Sequence, residues 1–207
     1  MSTRLAERFR SFLPVVIDLE TGGFDPNSNA ILELAAVFVD FQGENLVTGD
    51  TLHCNVVPKA GTRVELASLQ FTGIDLDDPN RHPISEQQAL NNLFRAVRKE
   101  MKAQNCQRAI MVAHNATFDQ QFINAACLRN DIKRNPFHPF SSLDTATLSA
   151  LAYGHTVLHK ACERAGIPFD SRQAHSASYD ARVTAELFCT IFNRWHQMGG
   201  WPLKPSD

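Results

Sequence analysis

The stretch Pro14–Glu20, Pro-Val-Val-Ile-Asp-Leu-Glu, decides how this chain is read. Val15, Val16, Ile17 and Leu19 are apolar and mostly β-branched, the composition of a central strand. Into that run Asp18 and Glu20 are set at positions i and i+2, which point to the same side of a sheet. Adjacent acids in such a setting repel each other and lose hydration unless something positive binds them. A hard divalent cation is the natural partner. The rival reading is that the strand ends here and both acids simply reach solvent. The turn formers Thr21-Gly22-Gly23 and Asp25-Pro26-Asn27 then close the strand.

Working outward, Ala30–Phe41 and Thr51–Val57 read as two further strands, so the first half of the chain predicts an antiparallel meander. Ser85 with Gln88 forms a capping box. It opens a helix whose apolar residues Leu90, Leu93, Phe94, Val97 and Met101 keep helical spacing. Arg108–Ala113 predicts a buried strand, and Thr117–Asn130 a helix capped by Asn115 or Thr117. Val157–Ala165 predicts a shorter helix stopped by Gly166 and Pro168. A last helix runs from about Ser178 to Met198, with Val183, Leu187, Ile191 and Trp195 on one stripe. Strands first, then alternating strand and helix, predict an α/β fold: a mixed β-sheet flanked by α-helices, in a single domain over residues 1–207.

Composition narrows the class. The cysteines number five, are scattered and form no CxxC pair, which argues against both a disulfide framework and a zinc site. Reduced, mostly buried thiols are expected. A formal net charge of −2 gives no overall basic signature, although a mean charge hides patches. No apolar run reaches the roughly 18 residues that span a bilayer, and the N-terminal segment lacks the pattern of a secretory signal. A cytoplasmic protein with no membrane partner is expected.

Two more clusters carry candidate chemistry. His114-Asn115-Ala116-Thr117-Phe118-Asp119 sits where a buried strand passes into a helix, the usual place for ligand sites in α/β sheets. Asp119 alone has an ordinary explanation, since acids in a first turn complement the helix dipole. His175-Ser176-Ala177-Ser178-Tyr179-Asp180 leads into the last helix. A loop histidine is more often merely solvated, yet its near-neutral reference pKa suits it to take a proton from water. His155 and His159 have helical spacing but lack a third ligand and read as a solvated pair.

The order of the clusters adds what none supplies alone. VIDLETGG, AHNATFD and AHSASYDA resemble the three motifs of the DEDD exonuclease superfamily, in its histidine subgroup. The runs LQFTGID, NPFHPF and NRWHQMGGWPL extend the resemblance over nearly the whole chain, to an RNA-trimming branch of that superfamily. In the superfamily's tyrosine variant a Tyr lies four residues before the last Asp. Here that position is Ser176, and Tyr179 adjoins Asp180, which favours histidine. Gly22-Gly23 departs from the more usual Thr-Gly and is expected to alter the substrate floor.

The resemblance implies a ribonuclease H-like fold and a metal-dependent 3′→5′ exonuclease releasing nucleoside 5′-monophosphates. It implies two Mg²⁺ ions, with Mn²⁺ able to substitute, held by Asp18, Glu20, Asp119 and Asp180. Asp18 would bridge them, and His175 would be the general base. Phe24, Phe71, Phe118 and Phe140 would stack on terminal bases, although an arbitrary phenylalanine is more at home in a core. Turn-forming neighbours set Phe24 and Phe140 apart from that rule. Arg8, Arg10, Lys102, Arg108, Lys133 and Arg134 read individually as solvated surface. The resemblance makes them a patch on a homodimer that feeds RNA to the opposite subunit's site. Implied substrates are short single-stranded 3′ ends of tRNA, rRNA and other stable RNA precursors, tRNA ends in turnover, and DNA 3′ ends. A polymerase-associated proofreading exonuclease would share the chemistry but calls for a binding tail, where this chain has only Trp201–Asp207. An inactive nucleic-acid-binding module should have lost a carboxylate or the histidine, and each is present.

Overall fold

The computed structural model describes residues 4–200. A short helix, α1 (Arg4–Arg8), turns through Arg10 and Ser11, both left-handed at φ 58° and 59°, into β1 (Phe12–Thr21). β2 (Ile31–Gln42) and β3 (Asn45–Val57) complete the expected meander, β3 starting well before Thr51. There follow α2 (Leu66–Thr72), β4 (Ile84–Ser85), α3 (Glu86–Ala103), β5 (Arg108–Ala113), α4 (Thr117–Arg129), β6 (Phe137–Asp144), α5 (Thr145–Tyr153), α6 (Leu158–Ala165) and α7 (Ala177–Gln197). The strands form a mixed sheet in the order β4-β3-β2-β1-β5-β6. β1 to β3 are antiparallel neighbours, while β5, β6 and β4 run parallel to the strands beside them.

β1 lies in the middle because its apolar run can be covered on both sides. Val15, Val16 and Ile17 are fully buried, and α3 and α7 both pack on β1, β2 and β3. α3 starts where the sequence says: Ser85 accepts from the Gln88 backbone N–H and the Gln88 side chain reaches back to the Ser85 N–H. Its Leu90, Leu93, Phe94 and Val97 are buried in the main core. Burial of such side chains contributes about 1.5–3 kcal/mol each, which fixes this helix over the sheet. A smaller cluster of Ala161, Cys162, Ile167, Tyr179, Val183 and Leu187 joins α6 to α7.

The register prepares the site. The ladder between β1 and β5 ends at Val16 opposite Val112. Beyond it β1 continues with β2 alone, Asp18 opposite Ala35 and Glu20 opposite Glu33. The β5 side of Asp18, Leu19 and Glu20 is therefore left for whatever follows β5.

Some local expectations are corrected. Neither Asn115 nor Thr117 caps α4; the N-cap is Ala116, with no side-chain cap bond. Asn115 instead takes a left-handed φ of 66°, and its N–H is bound by Asp144 at 2.9 Å. Phe140 lies within a strand rather than a turn, on the irregular part of β6. Cys127, Cys162 and Cys189 are buried, Cys54 and Cys106 partly so, and all five are free thiols. Among the described residues no helix is long and apolar enough to cross a membrane. The Trp201–Asp207 extension lies outside the described residues.

Candidate active site

The end of β1 that β5 leaves uncovered is where the distant acids converge. After β5, His114–Ala116 turn the chain and α4 begins, so that Asp119 comes back over β1. Its Oδ1 accepts the backbone N–H of Leu19 at 3.1 Å, between Asp18 and Glu20. The turn that allows this is pinned from the far side. Asp144, the N-cap of α5, accepts from both the Asn115 and the Ala146 N–H, and the half-buried His114 ring bonds Thr145 and the Thr156 carbonyl. A carbonyl accepts only, so Nε2 of His114 carries the hydrogen and donates to Thr156.

Asp180 arrives from the opposite direction, on the first turn of α7. The backbone N–H of His175 donates to its Oδ2 at 2.9 Å, with His175 in a left-handed conformation at φ 67°. Ligand atoms of Glu20, His175 and Asp180 lie within 4.8 Å of one another. All five expected residues thus meet at one place: Asp18 and Glu20 on the strand, Asp119 on Leu19, and Asp180 and His175 beside Glu20.

The electrostatics of this cluster are unfavourable as it stands. Burial, then the neighbouring charges of Asp119, Glu20, Asp180 and Glu33, push the Asp18 carboxyl well above its usual range. Glu20 is pushed up to about 8, again by burial first and then by Asp180, Glu33 and Asp119. Asp119 rises to about 8 through burial, despite the hydrogen bond from Leu19. Burial also raises Asp180, against the pull of His175. Oδ1 of Asp180 is buried without a hydrogen-bond partner in the protein, and such orphans are rare in folded proteins. Oxygen donors that are buried, mutually repelling and under-bonded fit a hard divalent cation.

Sequence reasoning missed Glu33. It lies directly opposite Glu20, so both side chains share one face of the sheet. Its Oε2 accepts from the Ala177 N–H at the start of α7 and lies 3.6 Å from His53. An acid inside the apolar run ILELAA is the same kind of signal as Asp18 and Glu20, and only strand register shows where it points. Asp144 was missed as well, because a helix-capping acid has no signature that marks it as a neighbour of Asp119.

The phenylalanines divide. Phe24 is 83% exposed and its ring lies 6.4 Å from that of Phe118, edge-on, beside Asp119. Phe71, on α2, packs against the His175 ring at 4.1 Å between centroids. Phe140 is exposed and contacts His138, whose carbonyl is bound by Gln120 of α4. The structure thus places Phe24 and Phe118 together, Phe71 at the histidine, and Phe140 on the edge strand, beside the His138 that Gln120 holds. Gly22 and Gly23 have a packing reason. A Cβ on Gly22 would lie 2.8 Å from the Arg63 carbonyl, in the segment that leads to Phe71, and one on Gly23 would meet Asn29 at 2.4 Å.

The basic residues lie elsewhere. Arg8 and Arg10 precede β1, Arg108 opens β5, Lys102 ends α3, and Lys133 and Arg134 lead into β6. That is the end at which β1 and β5 begin, whereas the carboxylates stand where β1 finishes.

A family model described as exonuclease matches residues 15–188. The Ribonuclease T of Hahella chejuensis is 55% identical over 204 residues, covering 98% of this chain and 94% of that protein. The chain belongs to the ribonuclease T family. The superfamily resemblance of the three motifs is borne out, and the chain is a metal-dependent 3′→5′ exonuclease. Ribonuclease T membership also agrees with solved folds. Escherichia coli Exonuclease I in complex with a dT13 oligonucleotide superposes with a TM-score of 0.68 at 16% identity, over 90% of this chain and 42% of that one. The nuclease domain of 3′hExo, a DEDDh family member, bound to rAMP, gives 0.60 at 18% identity, over 94% and 96% of the two chains. The fold is the ribonuclease H-like one of these exonucleases.

Proposed function

We propose that this ribonuclease T family member trims short single-stranded 3′ ends of tRNA, rRNA and other stable RNA precursors and acts in tRNA end turnover. DNA 3′ ends are further substrates, nucleoside 5′-monophosphates are the products, and the cytoplasm is the place of action. The observation that carries the reading is the meeting of Asp119 with the Leu19 backbone beside the Glu20, His175 and Asp180 cluster.

Asp18, Glu20, Asp119 and Asp180 are the residues to hold two Mg²⁺ ions, or Mn²⁺ in their place. When bound, such ions stabilise charge on the attacking and leaving oxygens of an in-line displacement. The protein's own groups do the rest. His175, held by its N–H to Asp180, takes the proton of the attacking water. Asp144 and Glu33 keep α4 and α7 in register with β1, through Asn115 and Ala177. Exposed Phe24 and half-buried Phe118 present ring surface to the terminal bases, and stacking supplies about 1–3 kcal/mol per base without sequence preference. Phe71 and Phe140 extend the grip.

The basic residues support a homodimer. They stand at the far end of β1 from the carboxylates, an arrangement that suits one subunit's cations to guiding a single-stranded tail toward a second subunit's site. The test is a time course on 3′-tailed RNA with Mg²⁺. Single nucleotides should leave from the 3′ end, and Asp18→Asn should abolish the reaction. Binding without shortening would reject the proposal.

A further inference from the structure

Glu86 and Arg129 form a buried charged cluster that the site described above does not use. Glu86 is 3% exposed. Arg129 Nε lies 3.0 and 2.8 Å from its two oxygens, and Asn130 Nδ2 donates to Oε2 at 2.6 Å. Burying such a pair carries a desolvation cost that only close geometry recovers, so its use lies in what it fixes. A second arm of the guanidinium shows what that is: Nη1 donates to the Pro26 carbonyl at 2.9 Å.

Pro26 belongs to the turn that carries Phe24. The other side of the turn is held by Asn29, 1% exposed, which bonds the Gly22 carbonyl at 3.2 Å and the Asp25 N–H at 2.9 Å. Phe24 is therefore exposed on a turn braced from both sides. Phe118 stands at the other end of α4, the helix that Arg129 terminates. Both rings of the 6.4 Å pair are thus referred to one buried carboxylate.

We infer that Arg129, braced by Glu86, is a positioning residue that sets the slot between Phe24 and Phe118 and so the enzyme's affinity for the terminal base. This rests on the proposed reading of those rings as the base-holding pair. A guanidinium can serve Glu86 and Pro26 at once because its donors diverge from a rigid plane. A lysine ammonium has no such fork.

The test is steady-state kinetics with Mg²⁺ on a short single-stranded RNA, beside the same RNA ending in an abasic 3′ residue. Arg129→Lys should raise KM about tenfold on the base-bearing RNA, with kcat within about twofold, and leave KM on the abasic RNA unchanged. A merely structural role would move both substrates alike, and that result, or an unchanged KM, overturns the inference. Phe24→Ala separates the premise from the inference. If it leaves KM unchanged, the reading of the rings fails and the inference with it. If it raises KM while Arg129→Lys does not, the inference alone fails. Should Arg129→Lys not fold, the joint replacement Arg129→Met with Glu86→Leu, which removes both buried charges, takes its place with the same two outcomes.

Discussion

Buried carboxylates occur at two places within this small fold, and they are built on opposite terms. At the end of β1, Asp18, Glu20, Asp119 and Asp180 crowd together; burial raises all four, the charges of the others raise Asp18 and Glu20 further, and one oxygen of Asp180 is without a partner in the protein. At the start of α3, Glu86 is as deeply buried, yet both its oxygens are taken by Arg129 and Asn130. The protein can satisfy a buried carboxylate where it needs rigidity. Where it crowds several together and leaves an oxygen of Asp180 unpaired, the arrangement fits a partner from outside the chain, a hard divalent cation. This separates a site from a strut, and each half can be broken independently.

The largest effect should come from the unsatisfied group. Asp18→Asn removes a charge that repels its neighbours, so activity should fall by about a thousandfold or more. The metal-free protein, by contrast, should melt at a higher temperature, because a neutral amide relieves the crowding. Loss of activity accompanied by a lower melting temperature would show that Asp18 is structural. At the strut the signs reverse. Glu86→Ala leaves Arg129 buried without its counter-charge and should cost about 3–5 kcal/mol in denaturant unfolding, while kcat of the folded fraction is retained. A cost below about 1 kcal/mol would mean the cluster relaxes into solvent and fixes nothing.

How far the sequence discloses such a contrast depends on whether a residue's role is local. β1, β5, α3 and α7 were legible because an apolar run or stripe is buried as it reads, and the Ser85–Gln88 capping box marks the start of α3 to the residue. α2 was not, since it has no buried residue and so no amphipathic pattern. β6 carries Pro139, an exposed Phe140 and an irregular register, which together erase alternation. α5 buries only Thr145, Ala146 and Ser149, a stripe of small and polar side chains that no apolar period reveals. In the site, the acids were found through motif order, whereas Glu33 and Arg129 were not. Glu33 matters through strand register, and Arg129 through a carbonyl about a hundred residues away in sequence, so neither has a local signature.

A gentler perturbation of the unsatisfied group is pH. Glu20 and Asp119 titrate near 8 in the fold and near 4 when unfolded, so their contribution to stability is full below pH 4 and is lost as pH rises through 8. With EDTA present, the melting temperature should therefore decline across this window. With Mg²⁺ present the decline should flatten or reverse, because the ion favours the ionised acids. Melting curves that fall equally with and without Mg²⁺ would place the origin of the slope elsewhere in the chain. The Glu86–Arg129 cluster offers a control: Glu86→Gln should leave this metal-dependent slope unaltered.

The cations permit the same comparison on a smaller scale. Arg129 is committed to a carboxylate and a carbonyl, whereas the guanidinium of Arg8 lies over the rings of Phe9 and Phe192, and that of Arg10 over Phe12. The guanidinium of Arg10, resting on an aromatic face, keeps hydrogen-bond donors at its rim, the arrangement suited to a passing phosphate. If Arg8 and Arg10 each meet one phosphate of a single-stranded tail, replacing both with Gln should lower the slope of log affinity against log salt by about 1.4. Affinity at low salt should fall most, and the fall should shrink as salt rises, with metal affinity unchanged because the carboxylates are at the other end of β1. An unaltered salt slope would confine Arg8 to packing α1 against α7 and Arg10 to covering Phe12. The polarity of the molecule, acids at one end of the central strand and cations at the other, would then have nothing to do with how RNA is delivered.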